Sequence, residues 1–172
     1  MEKEEVKELT EENYRFMDEA IEEAKKAYEK GEVPIGAVVV KDGQVIGRGH
    51  NLRESSNDPT THAEMIAIKD AAQKMESWRL VGCDIYVTLE PCPMCAGAII
   101  NSRIEGVYYG AYDPKAGCAG TFMNLLLDER FNHQAEVYPE VKEEECANLL
   151  KSFFREIRER RKREKEKAKK ED

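Results

Sequence analysis

The stretches Thr60-Thr61-His62-Ala63-Glu64 and, thirty residues on, Pro91-Cys92-Pro93-Met94-Cys95 decide how the rest of the chain is read. One imidazole nitrogen and two thiolate sulfurs make a donor set that zinc favours, and three protein ligands leave the fourth tetrahedral position open to water. Glu64 stands two residues from the histidine. It is too close to be an obvious fourth ligand, and well placed to exchange protons with that water. Cys92 and Cys95 are three apart, so both sulfurs can share one face of a helix start, where free N–H groups and the dipole favour thiolate. The chain between the two halves holds one helix and one strand, enough to bring them face to face.

Two plainer readings compete. A structural zinc site needs a fourth protein donor, and His50, His133 and Cys118 are available. Thr61-x-x-Glu64 is also a capping box, in which Glu64 reaches back to the Thr61 N–H. A histidine, a glutamate and paired cysteines at two predicted helix starts together favour a catalytic metal site.

Upstream, Thr10 to Lys30 has helical amphipathic spacing, with Thr10 as cap, Asn13 following, and Phe16, Ala20, Ala24 and Ala27 on one face. Gly31 stops it. Val33 to Val40 reads as a strand with Pro34 at its start, Asp42-Gly43 as a tight turn, and Gln44 to Gly49 as the returning strand. Gly36 inside the first strand signals either a close approach or a bulge. His50-Asn51 ends the hairpin, Arg53 to Pro59 reads as a polar loop, and a helix is expected from Thr61 to about Met75.

Downstream, a strand at Asp84–Thr88 leads to a helix with Pro93 in its first turn. A strand follows at Gly106–Tyr109, then a small-residue loop over Gly110–Gly120, a short helix near Met123–Leu127 and a strand near Glu136–Tyr138. A long helix starts at Glu143, its apolar side carrying Cys146, Leu149, Leu150, Phe153, Phe154 and Ile157. From about residue 158 a charged terminal helix or tail is expected, its last ten residues without fixed structure. Strands and helices alternate while the first two strands form an antiparallel hairpin, so the expected fold is α/β: a three-layer α/β/α sandwich on a mixed five-stranded sheet. At 172 residues, a single domain spanning 1–172 is expected.

Apolar residues make up 41% and charged residues 36%, the balance of a globular but heavily charged chain. No eighteen apolar residues run together, which excludes a spanning helix and leaves no membrane partner. Five cysteines and no signal-like opening point to a reducing, cytoplasmic setting. Net charge is −8, yet residues 151–172 carry eleven basic and six acidic groups, against six and eleven in residues 1–30. A positive end can meet phosphates while the rest stays acidic, so charge neither establishes nor excludes RNA.

His62-Ala63-Glu64 with Pro91-Cys92-x-x-Cys95 resembles the cytidine deaminase superfamily, whose nucleobase deaminases carry this signature. A longer set is similar to the bacterial tRNA-specific adenosine deaminases: Gly-Glu-Val-Pro-Ile-Gly-Ala at 31–37, His50-Asn51, Thr60 to Glu64, Trp78-Arg79-Leu80, Tyr86 to Ala98, Ser102-Arg103, Phe131-Asn132-His133 and Phe153-Phe154-Arg155. The resemblance implies a cytidine deaminase-like fold. It also implies a hydrolase that turns adenosine into inosine at the wobble position of a tRNA anticodon. Such an enzyme would be a cytoplasmic homodimer with one Zn2+ per subunit, acting on the anticodon stem-loop of tRNA in a cleft drawn from both subunits.

Carried over residue by residue, the resemblance implies His62, Cys92 and Cys95 as zinc ligands and Glu64 as proton shuttle. It implies Asn51 as the partner of the target base, with Val33, Ile35 and Ala63 beside the base pocket and Asp113 beside the flipped nucleotide's sugar. Phe153, Phe154 and Arg155 would sit on the terminal helix that meets the stem-loop. By themselves the residues leave other uses open: Asn51 can close a turn, Phe153 can be core, and Asp113-Pro114 can be turn chemistry. A deaminase of a free base or nucleotide (guanine, cytosine, dCMP) would need the same metal chemistry. A non-catalytic, zinc-stabilised RNA-binding subunit would have no use for Glu64. The chain departs from the family pattern at Thr61, where alanine is more usual, and in its Glu- and Lys-rich termini, which suit a hot-environment source or an idealised sequence.

Overall fold

Residues 7–171 are described by a computed structural model. In chain order the elements are α1 (Glu11–Glu29), β1 (Gly36–Lys41), β2 (Gln44–His50), α2 (Arg53–Ser56), α3 (Ala63–Met75), β3 (Cys83–Leu89), α4 (Pro93–Ser102), β4 (Gly106–Ala111), β5 (Glu136–Tyr138) and α5 (Glu143–Lys170). The sheet runs β2-β1-β3-β4-β5. β1 is antiparallel to both β2 and β3, while β3, β4 and β5 are mutually parallel, so the sheet is mixed.

Period-two alternation along the strands sorts side chains into two cores. Ala37 and Val39 of β1 join Ile85, Val87, Val107 and Tyr109 under α3 and α4, which contribute Ala63, Ala67, Ala71, Ala96 and Ile99. Val38 and Val40 point the other way, with Tyr86 and Tyr108, against Phe16, Met17, Ala20 and Ile21 of α1 and Cys146 of α5. On that second face Tyr86, Tyr108 and Tyr138 occupy matching register positions and stack at centroid separations of 4.4 and 4.5 Å.

Strand register gathers one edge. Gly36 lies opposite His50, Ala37 opposite Val87 and Leu89 opposite Ala111. The start of β1 and the ends of β2, β3 and β4 therefore open together, and α3 and α4 begin there. Two glycines let the helices lie close to the sheet. A Cβ on Gly49 would sit 2.4 Å from the Ala63 carbonyl oxygen at the start of α3, and one on Gly36 would sit 2.1 Å from that of Ala20 in α1. Gly36 thus marks a close approach; the irregularity in the β1–β2 register falls later, between Val39 and Val40.

Thr10 caps α1 in a capping box with Asn13, and Asp42 and Gly43 make the hairpin turn with φ of 49° and 73°. Several expectations are corrected. β1 starts at Gly36 rather than Val33, because the Ile35 N–H turns back to the Val33 carbonyl at 2.9 Å and keeps this segment out of the ladder. Arg53–Ser56 is a helical turn rather than loop, held by the Glu32 carboxylate, which accepts from the Glu54 and Ser55 N–H groups. α3 starts at Ala63 with His62 at its N-cap, not at Thr61. The Thr61 hydroxyl donates to the Asp58 carbonyl at 2.8 Å, and the Thr61–Glu64 capping box does not form.

No helix forms at Met123–Leu127. Leu125 N–H is spent on the Cys118 carbonyl and Leu126 C=O accepts from Ala135, which ties this segment into irregular chain. α5 continues through residues expected to lack fixed structure and ends at Lys170. Its Glu, Lys and Arg are good helix formers. Only Cys146 and Phe153 of its apolar side are buried. No helix among the described residues is long and apolar enough to cross a membrane.

Replacing Gly36 by alanine forces a methyl group into the α1 backbone, where no side chain can yield. Denaturant titration is expected to show a loss of at least ~2 kcal/mol; an unchanged midpoint would mean that α1 does not press on β1 as described.

Candidate active site

His62 and Cys92 are the N-cap residues of α3 and α4, and Cys95 lies one turn into α4, whose start is set by Pro93. Cys92 Sγ and Cys95 Sγ each lie 3.6 Å from His62 Nδ1. These three ligand atoms fall within 4.8 Å of one another and form the single group of this kind found among the described residues. Two helix N-termini aim their positive ends at the same point, which suits thiolates. The three alternative donors stay outside the group. His50 Nδ1 is taken by Glu23 at 2.8 Å, His133 Nε2 donates to the Ile104 carbonyl at 2.6 Å, and Cys118 is buried elsewhere in its loop.

Glu64 is 4% exposed, and burial pushes its carboxyl up to about 7. Hydrogen bonding with Cys95, and then with His62, brings the Cys92 thiol down to about 4. The bond with Cys92 and burial hold the Cys95 proton in place, while the bond to Cys92 raises His62. Once Cys92 carries its negative charge, that charge adds to the rise of both Glu64 and Cys95, so a second negative charge is harder to place here. A cation bound between the three ligand atoms would relieve that crowding.

A cavity of about 560 Å³ opens onto His62 and Cys92 of the group, within the ~300–1,000 Å³ of small-molecule sites. Val33, Ile35, Asn51, Ala63, Glu64, Asp113 and Phe154 line it, with His62 and Cys92. Asn51 also closes a turn, its Oδ1 accepting from the Arg53 N–H at 3.2 Å. The Asp113 carboxylate accepts from the Lys115 and Ala116 N–H groups, so it too shapes its own loop. Phe154 is half exposed at the mouth. Phe153 turns away and is buried with its ring edge-on to Tyr28 at 5.5 Å, and Arg155 is exposed outside the cavity lining.

Sequence reasoning passed over Arg53, Glu90, Tyr112, Lys115 and Leu150, all of which line the cavity. Glu90 matters most. It is 2% exposed, and its carboxylate accepts from the N–H groups of Asp113, Ala119 and Thr121 and from the Thr121 hydroxyl. The neighbouring Pro91 carbonyl accepts from Cys118 N–H at 2.8 Å. Glu90, just past the end of β3 and two residues before Cys92, thereby holds the loop that carries Asp113 and Lys115. An acid lodged between a buried strand and Pro91-Cys92 was the signal available.

Fold and group together mark a deaminase of cytidine deaminase-like fold. A family model of MafB19-like deaminases matches residues 11–158. The tRNA-specific adenosine deaminase of Bacillus subtilis (strain 168) is 60% identical over 147 residues, covering 86% of this chain and 91% of that one. A solved structure from studies of A-to-I editing by tRNA:A34 deaminases at the wobble position of transfer RNA is 46% identical. It has a TM-score of 0.76 and covers 79% of this chain and 99% of its own. Guanine deaminase from Bacillus subtilis is 40% identical with a TM-score of 0.57, over 66% of this chain and 71% of its own. The chain belongs to the tRNA-specific adenosine deaminase family.

Glu90→Ala strips three N–H groups of their acceptor, at about 1–3 kcal/mol for each that stays buried. Hydrogen exchange at Ala119 and Thr121 is expected to quicken, with Glu90→Gln intermediate; unchanged protection would show that the loop is held by other contacts.

Proposed function

We propose that this protein hydrolyses the exocyclic amine of adenosine at the wobble position of a tRNA anticodon, releasing ammonia and leaving inosine. The observation that carries the reading is a buried carboxyl, Glu64, beside a His/Cys/Cys group whose His62 and Cys92 line a nucleoside-sized cavity. Family membership supplies the substrate class.

In this reading His62, Cys92 and Cys95 hold one zinc ion per chain. At ordinary zinc distances a tetrahedral site puts its nitrogen and sulfur ligands about 3.6 Å apart, which agrees with the 3.6 Å between His62 Nδ1 and each sulfur. Bound there, zinc supplies Lewis-acid activation of water, lowering its pKa from about 15.7 towards about 7. Glu64 would accept the water's proton and pass it to the ring nitrogen; it would then take the proton of the newly added hydroxyl and deliver it to the amine, which leaves as ammonia while the carbonyl forms. A carboxyl pushed up to about 7 by burial is suited to both directions of transfer near neutrality.

The remaining lining residues bind and orient. Asn51 Nδ2 makes only a long 3.4 Å bond to the Val33 carbonyl, and it can turn to the edge of an adenine. Val33, Ile35 and Ala63 give the base apolar walls. Asp113 faces the sugar, while Arg53 and Lys115 offer positive charge to the flanking phosphates. Phe154, at the mouth, offers a ring on which an unstacked base can lie; Phe153 supports it from behind, and Arg155 lies beyond on the same helix. A single catalytic domain, a homodimer and a cytoplasmic site of action belong to the same proposal. Phe122, Met123 and Leu127 are exposed apolar residues for a second subunit to cover.

Incubation with tRNA followed by sequencing is expected to show the wobble adenosine read as guanosine. Turnover confined to free guanine or free nucleosides would overturn the reading. Glu64→Gln is expected to cut the rate by about 10³-fold while metal analysis still finds one zinc per chain. Chelation should abolish activity and added zinc restore it. An active Glu64→Gln variant would sink the proton-shuttle role even if inosine is the product.

A further inference from the structure

Asn51 lines the cavity and is held through its backbone and both ends of its side-chain amide. Its N–H donates to the Ile35 carbonyl at 3.1 Å. Its Oδ1 accepts from the Arg53 N–H at 3.2 Å, and its Nδ2 donates to the Val33 carbonyl at 3.4 Å. A backbone N–H can only donate, so the Arg53 contact fixes which end of the amide is oxygen. The amino end is then the one with a long, weak bond, free to meet a base.

The Arg53 N–H points at that oxygen only while Arg53–Ser56 stays a helical turn. A helix of four residues is not stable by itself in water, and Leu52 at its N-cap makes no side-chain cap bond. The missing acceptor comes from Glu32, which is 1% exposed. One carboxylate oxygen accepts from the Glu54 N–H at 3.3 Å, and the other accepts from the Ser55 N–H and from the Ser55 hydroxyl at 2.7 Å. Glu32 is fixed in turn by its own N–H, which donates to the Ala27 carbonyl near the end of α1 at 3.0 Å. Residues 32–35 thus grip the turn as a clamp, with the Glu32 carboxylate on Ser55 and the Val33 and Ile35 carbonyls on Asn51.

We propose that Glu32 is a positioning residue for the reaction: by holding Arg53–Ser56 as a turn, it keeps the Asn51 oxygen engaged and the Asn51 amino group presented to the target base. Glu32 does not line the cavity and acts through Asn51 alone. The inference rests on the tRNA reading above.

Glu32→Ala, Asn51→Ala and the double variant, each in the full chain, test it through inosine formation on whole tRNA. In Glu32→Ala kcat/KM is expected to fall by about 10–100-fold, the scale of a misplaced orienting group. The double variant is expected to be no slower than Asn51→Ala, because a residue that acts through Asn51 has nothing left to disturb once that side chain is gone. A purely structural role would instead multiply the two losses, and that result overturns the proposal. Glu32→Gln keeps the volume and one acceptor oxygen, so it replaces the alanine variant if that one does not fold, with the same coupling expected at smaller size. Hydrogen exchange at the Arg53 amide separates the two claims. Exchange there is expected to quicken in Glu32→Ala, and an unchanged rate also overturns the proposal. Absence of inosine with the unaltered chain sinks the tRNA reading instead, while faster Arg53 exchange in the variant still supports the clamp on Asn51.

Discussion

Four proton-binding groups, His62, Glu64, Cys92 and Cys95, share a poorly solvated space at one edge of a sheet, and the rest of the structure answers to that crowding. Buried charges of one sign are unfavourable unless a partner of the other sign is supplied. Here the fold supplies part of it through two helix N-termini, and the ligand triangle leaves room for a cation to supply the rest. The mixed sheet serves this end. Its register opens the start of one strand and the ends of three others on the same side, so residues distant in sequence arrive together.

The cavity wall carrying Asp113 and Lys115 depends on a second carboxylate. Glu90 is buried like Glu64, but its acceptor capacity is filled by N–H groups and a hydroxyl. The two acids differ in environment: burial raises the Glu64 carboxyl, whereas Glu90 is ringed by donors that fix its loop. Because Glu90 is two residues from Cys92, the loop bearing Asp113 is referenced to the His/Cys/Cys group rather than to the surface.

Much of this was legible in the sequence where the cause is local. The Thr10 cap, the Asp42-Gly43 turn and the helix start at Pro93 are each settled by a few neighbouring residues, and the His62/Cys92/Cys95 convergence by ligand chemistry. What escaped had distant causes. The turn at Arg53–Ser56 is made by Glu32, more than twenty residues away, and the Met123–Leu127 segment is pulled from helix by Cys118 and Ala135. Phe153 and Phe154 read alike as apolar residues of one helix, yet α1 buries the first through Tyr28 and leaves the second at the cavity. Asn51 shows that two readings can hold together, since it closes a turn and lines the pocket with the same side chain.

The stacked tyrosines have a consequence for how the molecule keeps to itself. β5 is three residues long and ends the sheet, a place where open amides invite a stranger's strand. Tyr138 lies flat on Tyr108, which lies flat on Tyr86, so sliding this short strand by one position would unstack the column and turn a ring outwards. The border offers few free rungs and resists being shifted to make more. Aromatic contact here guards against fibrous self-association at a margin far from the chemistry.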